Sequence, residues 1–140
     1  MSASLEDVSC VRGLIDRAFA DVPRPSRITK RVAVALDDEW TPDEERCREL
    51  TAEDREQHWR DLTDADIEEF CTILPWLDDE GLRFYLPAFM SYALRRFPSQ
   101  GHRAISDVHD LCSGSKWLSA LTSNQIATVR AFEALYGNLV

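Results

Sequence analysis

The sequence predicts an all-α fold, a single compact domain of about five to seven helices packed around one nearly all-apolar central helix. Three observations lead there. A Ser, Thr or Asp followed three residues later by a carboxylate or amide recurs along the chain, the punctuation of helix starts. The segments that follow repeat apolar residues at three- and four-residue intervals. A β-branched run occurs only at Val32-Ala33-Val34-Ala35-Leu36, with no second strand to pair with it. At 140 residues the chain is long enough to bury roughly two-thirds of its unfolded surface, and residues 1–140 read as one domain.

The elements follow in order. Ser4-x-x-Asp7 opens the first helix, whose apolar positions are Leu5, Val8, Val11, Leu14, Ile15, Ala18, Phe19 and Val22; Pro23 and Pro25 end it. Arg24 to Arg31 reads as a basic loop, and Val32–Leu36 as a short helix or an extended packing segment. Thr41-Pro42-Asp43-Glu44, Thr51-Ala52-Glu53-Asp54 and Thr63-Asp64-Ala65-Asp66 each carry a start signal. Acids at such positions complement the helix dipole, each by roughly 0.3–1 kcal/mol.

The Thr63 helix places Ile67, Phe70, Cys71 and Leu74 inward until Pro75 interrupts it. Asp78 then caps the central helix, which runs to about Phe97 and has almost no polar face before Arg95. Pro87 inside it removes one backbone hydrogen bond and is expected to kink or split the helix near Arg83–Leu86. Pro98–Gly101 is a turn. A short helix follows on Ile105, Val108, His109, Leu111 and Cys112, ended by Ser113-Gly114-Ser115. The box Thr122-Ser123-Asn124-Gln125 opens the closing helix on Ile126, Val129, Phe132, Ala134, Leu135 and Tyr136, with Gly137 as its stop.

The run Asp79-Glu80-Gly81-Leu82-Arg83-Phe84-Tyr85-Leu86-Pro87-Ala88-Phe89 resembles the signature of a family of small bacterial proteins with no assigned function. The likeness extends to Trp59-Arg60-Asp61-Leu62, to Ala18-Phe19-Ala20-Asp21-Val22, and to Leu121-Thr122 … Gln125 … Phe132, so it spans most of the chain. It implies a bacterial all-α protein and carries over no catalytic residues.

Charge is the other strong signal. Eighteen of the 25 acidic residues lie between Asp37 and Glu80, with four arginines and no lysine, so this stretch carries −14 and the remainder +5. Arg24, Arg27, Lys30 and Arg31 lie just before it. A net charge of −9 argues against direct nucleic-acid binding, which depends on Lys and Arg neutralising phosphates. No apolar run reaches the roughly 20 residues of a membrane span. Met1–Asp7 has no basic stretch followed by an apolar core, so the expected location is cytoplasmic.

The motifs of catalysis are missing. Cys10, Cys47, Cys71 and Cys112 are far apart, and Cys10, Cys71 and Cys112 read as small buried hydrophobes rather than metal or redox groups. The glycines are scattered singly, so no phosphate loop and no cofactor is called for. No EF-hand loop and no paired E-x-x-H set is present, and no metal site is expected. His58, His102 and His109 are isolated. His58 has Asp54 one helical turn before it, and His109 has Asp107 and Asp110 as candidate partners.

Two functional readings result. The first is a non-enzymatic interaction protein whose acidic face, with Asp43, Glu44 and Glu45 and the anchors Trp40 and Trp59, meets a partner with a basic surface; an immunity-type inhibitor is one form. The alternative is a small ligand-binding protein or hydrolase with a pocket opened by the Pro87 kink and lined by Arg83, Tyr85 and Tyr92; otherwise the two tyrosines serve the core and Arg83 pairs with Glu80 or another carboxylate of the acidic segment. A further variant is a homo-oligomer in which the acidic segment meets Arg24–Arg31 of a neighbouring copy.

Overall fold

The computed structural model describes residues 5–39, 42–97 and 101–137, with side chains as far as Leu135. Among these are seven α-helices and no strand: α1 (Leu5–Ala18), α2 (Lys30–Asp38), α3 (Glu44–Glu53), α4 (Asp64–Glu69), α5 (Asp79–Arg95), α6 (Arg103–Ser113) and α7 (Ser123–Gly137). Single 3₁₀ turns stand at Trp59–Asp61, Leu74–Trp76 and Leu118–Ala120.

The central helix is α5. The Asp78 carboxylate accepts from the Gly81 N–H at 2.8 Å, and Asp79 and Glu80 occupy its first turn, where the helix dipole favours negative charge. Every residue from Phe84 to Leu94 is buried, about three turns with no solvent face. Such a helix must be surrounded, and it is: α1, α4, α6 and all three 3₁₀ turns pack on it, and α7 closes the body against α1 and α6. The expected split at Pro87 does not occur, because α5 runs through it from Asp79 to Arg95. Neighbours on every side hold the helix in place where Pro87 supplies no N–H.

The punctuation at α4, α5 and α7 lies where the sequence places it. Thr63 and Asp66 bond reciprocally at 3.1 and 3.0 Å, as do Thr122 and Gln125 at 3.3 and 3.0 Å. Ser4 and Thr41 lie outside the described residues. At α3 the cap is Asp43, whose carboxylate accepts from the Arg46 N–H at 2.8 Å. The expected start at Thr51 is a correction: Thr51 sits in the last turn of α3, and Asp54 ends that helix. The spacing imitates a capping box, but no apolar periodicity follows it in Arg55-Glu56-Gln57-His58. Val32–Leu36 is helical, the interior of α2, and α2 begins at Lys30, inside the expected basic loop.

Helix α2 has two faces. Ala33 joins the main core, whereas Val32 and Ala35 pack with Leu50 of α3 in a small second cluster that includes Ile28, Leu36 and Cys47. The α2–α3 hairpin is thus a satellite with little apolar burial of its own. Three distant side chains satisfy carbonyls at the end of α1. Gln125 Nε2 donates to Ala18 O at 3.1 Å, Trp59 Nε1 to Phe19 O at 2.9 Å, and His58 Nε2 lies 3.1 Å from Ala20 O. Helix ends leave such carbonyls without intrahelical partners.

Two glycines respond oppositely to alanine. At Gly81 a Cβ would stand 3.1 Å from Ile28 O, Asp78 Oδ1 and Leu77 Cδ2, whereas at Gly13 it would meet only the Arg17 guanidinium, at 3.4 Å. Gly13→Ala should stabilise the fold by about 0.5–1 kcal/mol, the ordinary helix gain. Gly81→Ala should lower the melting temperature despite the same gain, because a backbone carbonyl and two side chains, each 3.1 Å from the new methyl, must all give way. Thermal unfolding of both variants checks the pair.

Candidate functional site

The acidic segment meets three different fates. Its most buried members join a cluster centred on Lys30, which is 5 % exposed. Lys30 Nζ lies 2.8 Å from Asp54 Oδ1 and 2.7 Å from Glu56 Oε2, and those acids are 1 % and 8 % exposed. Arg31 Nε adds a contact of 3.0 Å to Asp54, and the Phe70 ring lies 5.2 Å from Lys30 Nζ. Lys30 thus faces two buried carboxylates, and the half-buried Arg31 shares Asp54 with it while also lying 3.7 Å from the exposed Glu53.

The same cluster caps α2. Thr29 occupies the N-cap position but makes no side-chain cap bond. Instead the Lys30 N–H donates to the Tyr85 hydroxyl at 2.8 Å and the Arg31 N–H to Asp54 Oδ2 at 3.0 Å. Tyr85 in turn donates to Glu56 Oε1 at 2.9 Å. Burial, and then the adjacent Glu56 carboxylate, push the Tyr85 hydroxyl far above the ordinary tyrosine range.

A second group of acids ties α4 to α5. Tyr92 donates to Glu68 Oε2 at 2.6 Å, Arg95 reaches Asp64 Oδ1 at 2.6 Å, and Arg96 lies 3.3 Å from Glu68 with its guanidinium 4.7 Å from the Tyr92 ring. Burial foremost, with the bond to Glu68, pushes the Tyr92 hydroxyl up to about 12. Asp61 belongs to a local cap: the backbone N–H groups of His58 and Gln57, each 3.0 Å away, hold its carboxyl below the usual range.

The third group stays in solvent. Asp37 and Asp38 at the end of α2, and Glu44, Glu45 and Glu49 on α3, are exposed, and their carboxylates have no hydrogen bond or ion pair among the described residues. Between these sets, Glu39 holds Arg46 with two contacts of 3.1 Å.

Of the residues singled out from the sequence, Trp40 lies outside the described residues. Asp43 is the α3 cap, and Glu44 and Glu45 are exposed beside it. Trp59 corrects an expectation: it is 3 % exposed and part of the core, drawn inward by its indole bond to Phe19 O, so it is no surface anchor. The described tryptophan most open to solvent is Trp76, at 41 %. The pocket of Arg83, Tyr85 and Tyr92 is likewise not formed. Both tyrosines are sealed, at 1 % and 0 % exposed, while Arg83 turns outward and donates to Asp79 O of its own helix at 3.2 Å.

His58 does not pair with Asp54, because α3 has already ended; its Nδ1 accepts from the Arg60 N–H at 3.1 Å and caps the turn at Trp59. His109 meets Glu133 of α7 at 3.2 Å rather than Asp107 or Asp110. Of the three cysteines read as buried, only Cys112 is; Cys71 is half-buried and Cys10 lies exposed on α1.

The sequence reasoning missed a cleft of about 500 Å³ beside α3, lined by Arg24, Arg27, Arg48 and Arg55, with Thr51 and Asp54 among its other walls. The signal was present in the run Arg24–Arg31, but Arg48 and Arg55 were counted within an acidic segment. No group of His, Cys, Asp and Glu among the described residues is arranged to hold a metal ion. No helix among them is long and apolar enough to cross a membrane.

A family model described as a family of unknown function (DUF6714) matches residues 7–136. No curated protein and no solved structure matches the chain.

The Lys30 cluster sets two expectations. Lys30→Ala should cost about 3–5 kcal/mol in urea unfolding, since it leaves buried carboxylates short of a partner; Tyr85→Phe should cost about 1–3 kcal/mol. Tyr92 gives a pH dependence. Its raised folded pKa means the folded chain holds the proton more tightly than the unfolded one, whose tyrosine titrates near 10. That stability is fully present below pH about 10 and is lost as pH rises toward about 12. Alkaline melting curves of Tyr92→Phe should be flatter across this window than those of the parent.

Proposed function

The chain belongs to a family of unknown function (DUF6714), and we propose that it is a non-enzymatic interaction module whose α2–α3 tip meets a partner protein with a basic surface. One observation carries the reading. Helix α2 ends on Asp37-Asp38 followed by Glu39, with no basic residue in its last turn. Negative charge at a helix C-terminus opposes the dipole, so local helix stability does not account for these acids. The acids at the start of α3 are different, because Asp43, Glu44 and Glu45 sit where that helix favours them.

Together, Asp37, Asp38, Glu44, Glu45 and Glu49 form a negative tip on the satellite hairpin. Its potential would steer a cationic partner and speed encounter at low salt. An inhibitor of the immunity type, presenting acids to the cationic cleft of a nuclease, is one form such a partnership takes. The acids engaged by Lys30, Arg31, Arg95 and Arg96 are not available to it.

The test is capture from the native host lysate at low and high salt, with the parent and with a variant carrying Asp37→Asn, Asp38→Asn, Glu44→Gln and Glu45→Gln. The parent should retain one basic protein in stoichiometric amount and release it at high salt, and the variant should retain none. Equal capture by both would overturn the reading. The pair Asp37→Asn and Asp38→Asn alone should raise the melting temperature, as expected for charges kept against helix stability.

A further inference from the structure

The cleft beside α3 gathers four guanidinium groups from three stretches of chain: Arg24 and Arg27 before α2, Arg48 on α3 and Arg55 after it. Only Arg24 is engaged, donating to Thr51 O at 2.8 Å. Arg27, Arg48 and Arg55 are exposed, and their guanidinium groups have no hydrogen bond or ion pair among the described residues. Arg48 is the telling member. Glu44 stands four residues before it and Glu45 three, the spacing and order that favour a helical ion pair. Neither carboxylate lies within bonding reach of it, and Arg48 lines the cleft instead. The single acid in the wall, Asp54, already holds Lys30 and Arg31. With four arginines against Asp54 in the wall, and Glu80 held at the rim by Ser26 at 2.7 Å, the cleft carries an excess of positive charge in a chain of net charge −9. Like charges crowded there repel one another, and an anion would relieve that.

A second cleft, also about 500 Å³, continues from the first and shares Arg27, Cys47 and Arg48 with it. Its remaining wall is Ile28, Val32, Leu36 and Pro42, with Glu44 at its edge. No aromatic ring among the described residues lines either cleft, and the apolar part of the wall is aliphatic.

We propose that the two clefts form one ligand site: the arginines hold the phosphate end of an organic phosphate, and the aliphatic wall holds its hydrocarbon body. Guanidinium groups bind phosphate oxygens through paired, charge-assisted hydrogen bonds, and several of them together match a multiply charged group better than a single carboxylate. This site adjoins the acidic tip at Glu44 but does not depend on the role proposed for that tip.

The experiment is calorimetric titration of the full chain with pyrophosphate, geranyl diphosphate and ATP, at matched ionic strength. Pyrophosphate should bind, and geranyl diphosphate should bind more tightly than either of the others. Arg27→Gln and Arg48→Gln should each weaken binding by roughly tenfold or more, the loss expected for a charge-assisted contact. Both side chains are exposed and unpaired and stand among like charges, so the variants should melt no lower than the parent. Glu44→Gln should tighten binding, and Arg12→Gln, in a different cleft beside Asp16 and Arg60, should leave it unchanged. Failure of both pyrophosphate and geranyl diphosphate to bind, or binding indifferent to Arg27 and Arg48, would overturn the site. ATP binding tighter than geranyl diphosphate would overturn the aliphatic assignment. A concentration-dependent dimer abolished by the same arginine variants would place the acidic tip of a second copy in the cleft, and would overturn the ligand as well.

Discussion

The buried pairing of Lys30 with Asp54 and Glu56 is the constraint on which the rest of the architecture leans. Without it the α2–α3 hairpin has only a small apolar cluster of its own, built on Val32, Ala35 and Leu50. The pairing joins the start of α2 to the chain that leaves α3, and Tyr85 extends it into the central helix. Three parts of the molecule are thereby held at one point. Ion pairs in such surroundings add little net stability over an apolar replacement, because both charges lose their water. What they supply is position: two carboxylates and one phenol tie Lys30 and the first N–H groups of α2 to the chain after α3 and to α5.

That docking gives the acidity of the chain a physical order. Acids nearest the body are neutralised by Lys30, Arg31, Arg95 and Arg96, and acids at helix starts serve as caps. Asp37, Asp38, Glu44, Glu45 and Glu49 on the α2–α3 hairpin stay exposed without a hydrogen bond or ion pair among the described residues, as does Glu69 at the end of α4. On the same α3 helix, Arg48 faces a cleft shared with Arg24, Arg27 and Arg55. Within one hairpin, a chain with a net charge of −9 thus carries both exposed, unpaired acids and an arginine-lined cleft, and the main body centred on α5 is the frame on which the hairpin rests.

The frame itself is built from residues that the sequence marks clearly. Trp59, Phe19, Ala18 and Gln125, which lie in three of the segments carrying the family resemblance, meet where distant side chains satisfy carbonyls at the end of α1. Trp59 shows why sequence reading misplaced part of the site. An indole flanked by His58 and Arg60 looks like a surface anchor, yet its N–H has a carbonyl to satisfy 40 residues away. Tyr85 and Tyr92 misled in the same manner. Each puts its hydroxyl onto a carboxylate brought in by another element, which closes the space that a pocket would need.

The sequence by itself determined the elements whose signals are local. Reciprocal caps at Thr63–Asp66 and Thr122–Gln125, the Asp78 cap and the unbroken apolar run of α5 each depend on residues within a few positions, where chain connectivity already sets the geometry. Tertiary structure alone decided the start of α2, because its first N–H groups are capped by Tyr85 and Asp54 rather than by a neighbour in the chain. It also decided which acids are free, which tryptophan is buried, and that four arginines converge on one cleft. Those outcomes depend on which distant groups share a dielectric environment and lie within about 3 Å, and no short-range pattern encodes that.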